Sequence, residues 1–179
     1  VNEYNNYIFS VPNQTCAEIL WGYIRSAINA VYKINLNDLM SKFSGMKIRG
    51  DWRPFFEYLL EQLFKSASVR DFITKEAVLK GFLIAHLNLL DDYDMYSEHE
   101  LNKGIADVYL VPNLLTAPKI CPNHYILELK YLKKEENTEN NLAAVKAKAA
   151  KQLKQYAQDP KLKGETVTKL IIIVSSNDH

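Results

Sequence analysis

The chain has 179 residues, 47% of them hydrophobic and 11% aromatic, with 24% charged and a formal net charge of +1. That is length for one domain, or a domain with an appendage, and enough apolar content for a sizeable core. No apolar run reaches the roughly 18 residues a membrane span needs, and the longest, from Ala77 to Leu90, carries Lys80 and His86. The charge is unevenly spread. Asp91, Asp92, Asp94, Glu98 and Glu100 make one segment acidic, and lysines outnumber acids from Lys130 to Lys163. Such a stretch suits either a solvated helix face or a flank for a polyanion. Cys16 and Cys121 form no spacing motif, so a reducing, cytoplasmic setting is the expectation. The chain starts without Met and stops just after an apolar run, which reads as an excerpt of a longer protein.

In chain order, Val1 to Ser10 is polar and aromatic, and Pro12 biases Val11 to extended geometry. Asn13 or Thr15 can cap a helix from about Cys16 to Tyr32, in which Ile19, Leu20, Tyr23, Ile24, Ile28 and Val31 recur at helical spacing. A short helix is predicted between Asn35 and Gly50. Another runs from Asp51, as its N-cap, to about Lys65, with Pro54 tolerated in the first turn. Thr74 can cap a third helix, Lys75 to Leu90, which is apolar nearly all round. Glu76 stands out on its Leu79, Leu83, Leu87 and Leu90 stripe. Asp91 to Asp94 reads as a turn, and Met95 to Glu100, Ile105 to Val111 and Tyr125 to Leu132 read as three strands. A charged linker, Lys133 to Asn141, leads into an Ala- and Lys-rich helix, Leu142 to Ala157. Gln152 lies on its apolar face with Val145, Ala149, Leu153 and Tyr156. A β-branched strand, Lys169 to Ser175, follows. The three early strands suit an antiparallel meander, and the fourth, after a helix, suits a parallel crossover.

The chemistry-bearing residues lie on the second and third strands. Residues two apart on a strand share a face, so Glu128 and Lys130 point together, and Asp107 is expected on the face of Ile105 and Tyr109. Carboxylates and a lysine within apolar strands are costly unless paired or bound to a cation. Two readings follow. One is a surface ion pair on a half-exposed sheet. The other is a hard-cation site in which Asp107, Glu128 and the Leu129 carbonyl are ligands and Lys130 faces the scissile phosphate, as phosphodiester hydrolysis requires. Glu76 and Gln152, aimed at the same sheet from the flanking helices, favour the second. The four histidines lack metal-ligand spacing, no Gly-rich phosphate loop is present, and the serines sit in no nucleophile elbow.

Gly104-Ile105-Ala106-Asp107, then Ile126-Leu127-Glu128-Leu129-Lys130, then a helix with Gln152 and Tyr156, resembles the PD-(D/E)XK nuclease superfamily. More narrowly, with Phe9-Ser10-Val11-Pro12-Asn13 as entry segment, the chain resembles the nuclease-like C-terminal domain of bacterial AAA-ATPase-like proteins. The resemblance implies a mixed α/β, restriction-endonuclease-like αβββαβ core: a four-stranded mixed sheet flanked by helices. Residues 71–179 would form it, and residues 1–70 a helical extension from an upstream domain. It implies Glu76, Asp107, Glu128 and Lys130 as site residues, Gln152 as the accessory helix residue, and Mg²⁺ or Mn²⁺ as cofactor. Its implied partners are nucleic acid, DNA before RNA, and an upstream ATPase domain, with no membrane. The sequence departs from the pattern at Ile105, where the family often has arginine. A degenerate, non-catalytic binding module is the alternative that this departure motivates.

Overall fold

The computed structural model describes residues 19, 23, 35–65, 76–88, 90, 92–113 and 123–175. The chain divides into two compact units, Val1–Leu36 and Asn37–His179. The second holds every element described below, save Leu36, the first residue of the first helix. Of the helix expected over residues 16–32, Ile19 and Tyr23 are described, and both are helical and exposed. The entry segment, both cysteines and Thr74 lie outside the described residues.

Helix α1 is Leu36–Arg49 and buries Leu39, Phe43 and Met46 at three-and-four spacing. Gly50, at φ 71°, ends it, its N–H donating to the Met46 carbonyl at 3.0 Å. Asp51 is part of the same turn, its N–H reaching the Gly45 carbonyl at 3.3 Å. Helix α2, Arg53–Lys65, therefore starts one residue later than a cap at Asp51 would place it, with the Trp52 carbonyl accepting the Phe56 N–H at 3.2 Å. Helix α3 is Glu76–Leu87.

Strands β1 (Tyr93–Leu101) and β2 (Gly104–Pro112) form an antiparallel hairpin. Asn102 and Lys103 turn it at φ 43° and 63°, the pair of left-handed residues a tight hairpin turn requires. Tyr93 and Asp94, expected in a turn, instead open β1. The buried Tyr93 ring packs on Phe43 at 5.9 Å and Tyr125 at 5.8 Å, and this burial outweighs the turn propensity of the aspartates around it. Strand β3, Asn123–Leu132, pairs antiparallel with β2, and β4, Thr166–Ser175, parallel with β3. Helix α4, Glu139–Tyr156, makes the crossover. It begins inside the expected linker because Thr138 caps it, Oγ1 accepting from the Asn141 N–H at 3.3 Å. The fold is thus α+β, a four-stranded mixed sheet in the order β1-β2-β3-β4, flanked by helices, as a restriction-endonuclease-like core requires.

The sheet is packed on both sides. Phe43 and Phe55 join Tyr93 and Tyr125, and the Tyr125 hydroxyl donates to the Met46 carbonyl at 3.1 Å. Helix α4 packs Leu153 and Tyr156 on Leu101, Ala106, Tyr109 and Ile126. The hairpin tip is also tied to α4. Asn102 Nδ2 donates to the Gln155 carbonyl at 2.8 Å, and Gln155 Nε2 returns a bond to the Asn102 carbonyl at 2.9 Å.

One irregularity shapes the site. Glu98, in mid-strand, has φ 55°. Register holds on either side, Ser97 opposite Val108 and His99 opposite Ala106, but strict alternation of faces does not. Tyr96 and His99, three residues apart, both lie against Tyr109, at 6.3 and 5.4 Å. On β2, Ala106 and Tyr109, also three apart, join one cluster. Asp107 stands opposite this kink, so period-two alternation does not set its direction.

Two glycines test the packing. A β-carbon on Gly81, exposed in α3, meets nothing within 4 Å. Gly81→Ala should therefore raise stability by about 1 kcal/mol. A β-carbon on Gly104 would strike the Tyr156 ring. Gly104→Ala should lower stability by about 1–3 kcal/mol. Urea unfolding of both variants checks this, and equal effects would contradict the α4–hairpin contact.

Candidate active site

Strands β2 and β3 pair over only three positions, Val108 with Leu127, Tyr109 with Ile126 and Leu110 with Tyr125. Beyond them, β2 stays with β1 down to Gly104, and β3 stays with β4 up to Leu132. The sheet therefore parts at Asp107. Its carboxylate occupies the parting, Oδ2 accepting the Leu129 N–H at 2.9 Å. A backbone N–H lies near the plane of its sheet, so Asp107 reaches across the parting rather than out of one face. The expectation that Asp107 shares a face with both Ile105 and Tyr109 is thus corrected. Ile105 is 62% exposed and Tyr109 is buried, because the kink at Glu98 breaks the alternation.

The Lys130 ammonium sits at the centre. It lies 3.0 Å from Glu128 Oε1, 3.7 Å from Asp107 Oδ2 and 3.7 Å from Glu76 Oε2, and it donates to the Leu129 carbonyl at 2.7 Å. Glu76, the first residue of α3, points its carboxylate at β3 rather than only capping its own helix. The structure thus brings Glu76, Asp107, Glu128 and Lys130 together. Gln152 is one step removed. Its Nε2 donates to the Tyr156 hydroxyl at 3.3 Å, which donates to the carbonyl of Ile105, on the same strand as Asp107, at 2.9 Å.

Two further residues complete the cluster. Lys80, one turn beyond Glu76 on α3, lies 3.6 Å from Asp107 Oδ1 and 3.2 Å from Glu98 Oε1. For Lys80 a signal existed, the four-residue spacing from Glu76. For Glu98 none did, because its direction follows from the backbone kink.

Burial sets the electrostatics. The Glu128 side chain is 3% exposed. Burial raises its pKa, opposed by the hydrogen bond and charge of Lys130 and reinforced by Asp107 and Glu76. Burial alone would lower the pKa of Lys130. The Glu128 hydrogen bond and the charges of Glu128, Glu76 and Asp107 outweigh it, and the net shift is upward. The Tyr156 hydroxyl is also raised, by burial first and then by the charge of Glu128. Counting the ion pairs, four carboxylates face two ammonium groups, a formal excess of two negative charges.

A family model described as the PD-(D/E)XK nuclease superfamily matches residues 74–179. The chain belongs to the PD-(D/E)XK nuclease superfamily. No curated protein and no solved structure matches it. Members of this superfamily typically use divalent metal ions and act on nucleic acid. Among the described residues, no three His, Cys, Asp or Glu side chains converge in metal-ligating geometry, the space between the carboxylates being taken by the Lys130 ammonium. The donor chemistry still fits a hard cation: the Leu129 carbonyl and the carboxylates of Asp107 and Glu128, of which Glu128 Oε2 is buried with no hydrogen-bond partner among the described residues. Gln152 Oε1 is buried and unpartnered in the same way. Among the described residues no helix is long and apolar enough to cross a membrane.

Removing Lys130 leaves Glu128 buried against two like charges. Lys130→Met should therefore cost about 2 kcal/mol of stability at pH 8. Without Lys130 the Glu128 pKa climbs further. The penalty is then fully present above that pKa and relieved as the pH falls below it. Urea unfolding should show a markedly smaller loss at pH 5 than at pH 8, and equal losses would refute this account of the pair.

Proposed function

We propose that this chain is a divalent-metal-dependent phosphodiesterase that cuts nucleic acid. The observation that carries the reading is the Lys130 ammonium held among Glu76, Asp107 and Glu128, beside a buried Glu128 oxygen with no partner among the described residues. Asp107, Glu128 and the Leu129 carbonyl would hold the ion, Mg²⁺ or Mn²⁺ by the hardness of these donors. When bound, such an ion supplies Lewis acidity to a phosphoryl oxygen and lowers the pKa of a coordinated water.

The protein groups have separate tasks. The Leu129 N–H and Lys80 hold the two oxygens of Asp107, so its carboxylate presents a defined edge. Lys130, kept charged by its acidic neighbours, moves from its carboxylates to the substrate phosphate and offsets negative charge developing there. Glu76 shares Lys130 with Glu128 and limits where the ammonium can go. Gln152 offers Oε1, unpartnered among the described residues, as an acceptor for a donor at the site, its other end fixed by Tyr156.

The finer points rest on the sequence resemblance and, for the location, on the absence of a cysteine spacing motif. DNA is proposed before RNA, the nuclease unit as residues 71–179 with residues 1–70 as a helical extension, the location as cytoplasmic, and an AAA-ATPase-like region as the companion in a longer chain. A second reading, binding without cleavage, is favoured by Ile105, an exposed apolar side chain beside the site where a phosphate-binding arginine is common in the family.

Cleavage of single- and double-stranded DNA and RNA with Mg²⁺ or Mn²⁺ tests the proposal. Asp107→Ala and Lys130→Ala should each lose about 100-fold or more. Cleavage equal in wild type and variants would refute the assignment, and binding without metal-dependent cleavage would establish the second reading. Because the Glu128 pKa lies above the ordinary range, its protonated fraction grows earlier on acidification than for a free carboxylate. Apparent metal affinity should fall accordingly between pH 7 and pH 5.

A further inference from the structure

Asp107 is gripped from two directions. Oδ2 takes the Leu129 N–H from within the sheet, and Oδ1 faces Lys80 from α3. Lys80 is itself held from outside, its ammonium 3.2 Å from Glu98 Oε1. The two lysines divide the cluster, since Lys130 meets Glu76, Glu128 and Asp107 Oδ2. Glu98 adopts a backbone conformation rare for a side-chain-bearing residue, and such strain persists only where its surroundings over-determine it. Its carboxylate is 73% exposed, so pairing with Lys80 adds little stability. What the pair does supply is direction. With the Lys80 side chain only 16% exposed, the ammonium is fixed between an outer carboxylate and the one that spans the parted strands.

We propose that Lys80 is a positioning residue of this centre: it orients the Asp107 carboxylate through Oδ1, with Glu98 as its outer anchor. The inference rests on the metal-dependent reading above. It sets Lys80 apart from Lys130, which faces the substrate, and gives the strained Glu98 a purpose. It also makes a prediction of opposite signs. Lys80 is a cation beside a metal ligand, so losing it strengthens attraction for a divalent ion. Losing it also frees Asp107 to rotate, so the bound ion is poorly placed.

The experiment compares wild type with Lys80→Met, Lys80→Arg and Glu98→Gln. Mn²⁺ affinity is read from the free-ion paramagnetic resonance signal, and kcat and KM from DNA cleavage. Lys80→Met should bind Mn²⁺ about fivefold more tightly. Its kcat should fall about tenfold or more, with KM changed by less than about twofold. Lys80→Arg should recover most of the lost kcat. Glu98→Gln, an exposed change that leaves the core intact, should lower kcat about threefold through the loosened anchor. A raised KM with kcat retained would make Lys80 a substrate contact and overturn the proposal. Weaker Mn²⁺ binding together with a lower melting temperature would make it merely structural and overturn it equally. A wild type that neither binds Mn²⁺ nor cuts DNA would instead overturn the metal-dependent reading. The Lys80–Asp107 link is then judged from melting temperatures of the metal-free Lys80→Met, Asp107→Asn and double variants. Non-additive shifts support it, and additive shifts refute it.

Discussion

A carboxyl group on a side chain only 3% exposed is the constraint on which this molecule is arranged. Glu128 sits in a strand whose neighbours Leu127 and Leu129 are fully buried, so water cannot solvate its charge. Lys130, two residues on and on the same face, supplies the countercharge at 3.0 Å. That pair alone would be self-contained. The addition of Glu76 and Asp107 at 3.7 Å spreads one ammonium over three carboxylates, with one Glu128 oxygen lacking a partner among the described residues, and leaves the cluster with more carboxylates than ammonium groups. A core selected only for stability would replace such groups with apolar side chains. Their retention within a nuclease-superfamily fold is what joins the packing to a chemistry.

The rest of the fold keeps the parting of β2 and β3 open and its rims still. On one rim, β3 is paired with β4 along its whole length, so Glu128, Leu129 and Lys130 stand on a strand fully supported from the other side. On the other rim, the β1–β2 hairpin is clasped to α4 by the Asn102–Gln155 amide exchange, the close approach of Tyr156 to Gly104 and the Tyr156 bond to Ile105. Helix α3 delivers Glu76 to Lys130 and, one turn on, Lys80 to Asp107 and Glu98. Helices α1 and α2 take no part in the cluster. They pack Phe43 and Phe55 toward Tyr93 and Tyr125 and so buttress the sheet from beneath.

Much of this was legible from residue order. On β3, strand periodicity places Glu128 and Lys130 together without any knowledge of the fold, and the pattern of three strands, helix and strand gives the topology. Glu76 was legible as a carboxylate on an otherwise apolar stripe, and Gln152 as an amide on an apolar helix face. The direction of Asp107 was not. It depends on the kink at Glu98, where a glutamate adopts a left-handed backbone that no local propensity favours. Lys80 stands one helical turn from Glu76 in the sequence, but residue order does not show which carboxylates it meets.

The chain by itself determined which residue types line which strand and helix, because period-two and period-3.6 patterns are properties of consecutive residues. It also determined the family, because the spacing of Asp107, Glu128 and Lys130 is a linear signature. Only the tertiary structure decided where β2 leaves β3, which oxygen of each carboxylate is held, and that Lys80 and Glu98 join the cluster. Those outcomes depend on contacts between residues distant in the chain, and a side chain's direction across a sheet follows from the backbone beneath it.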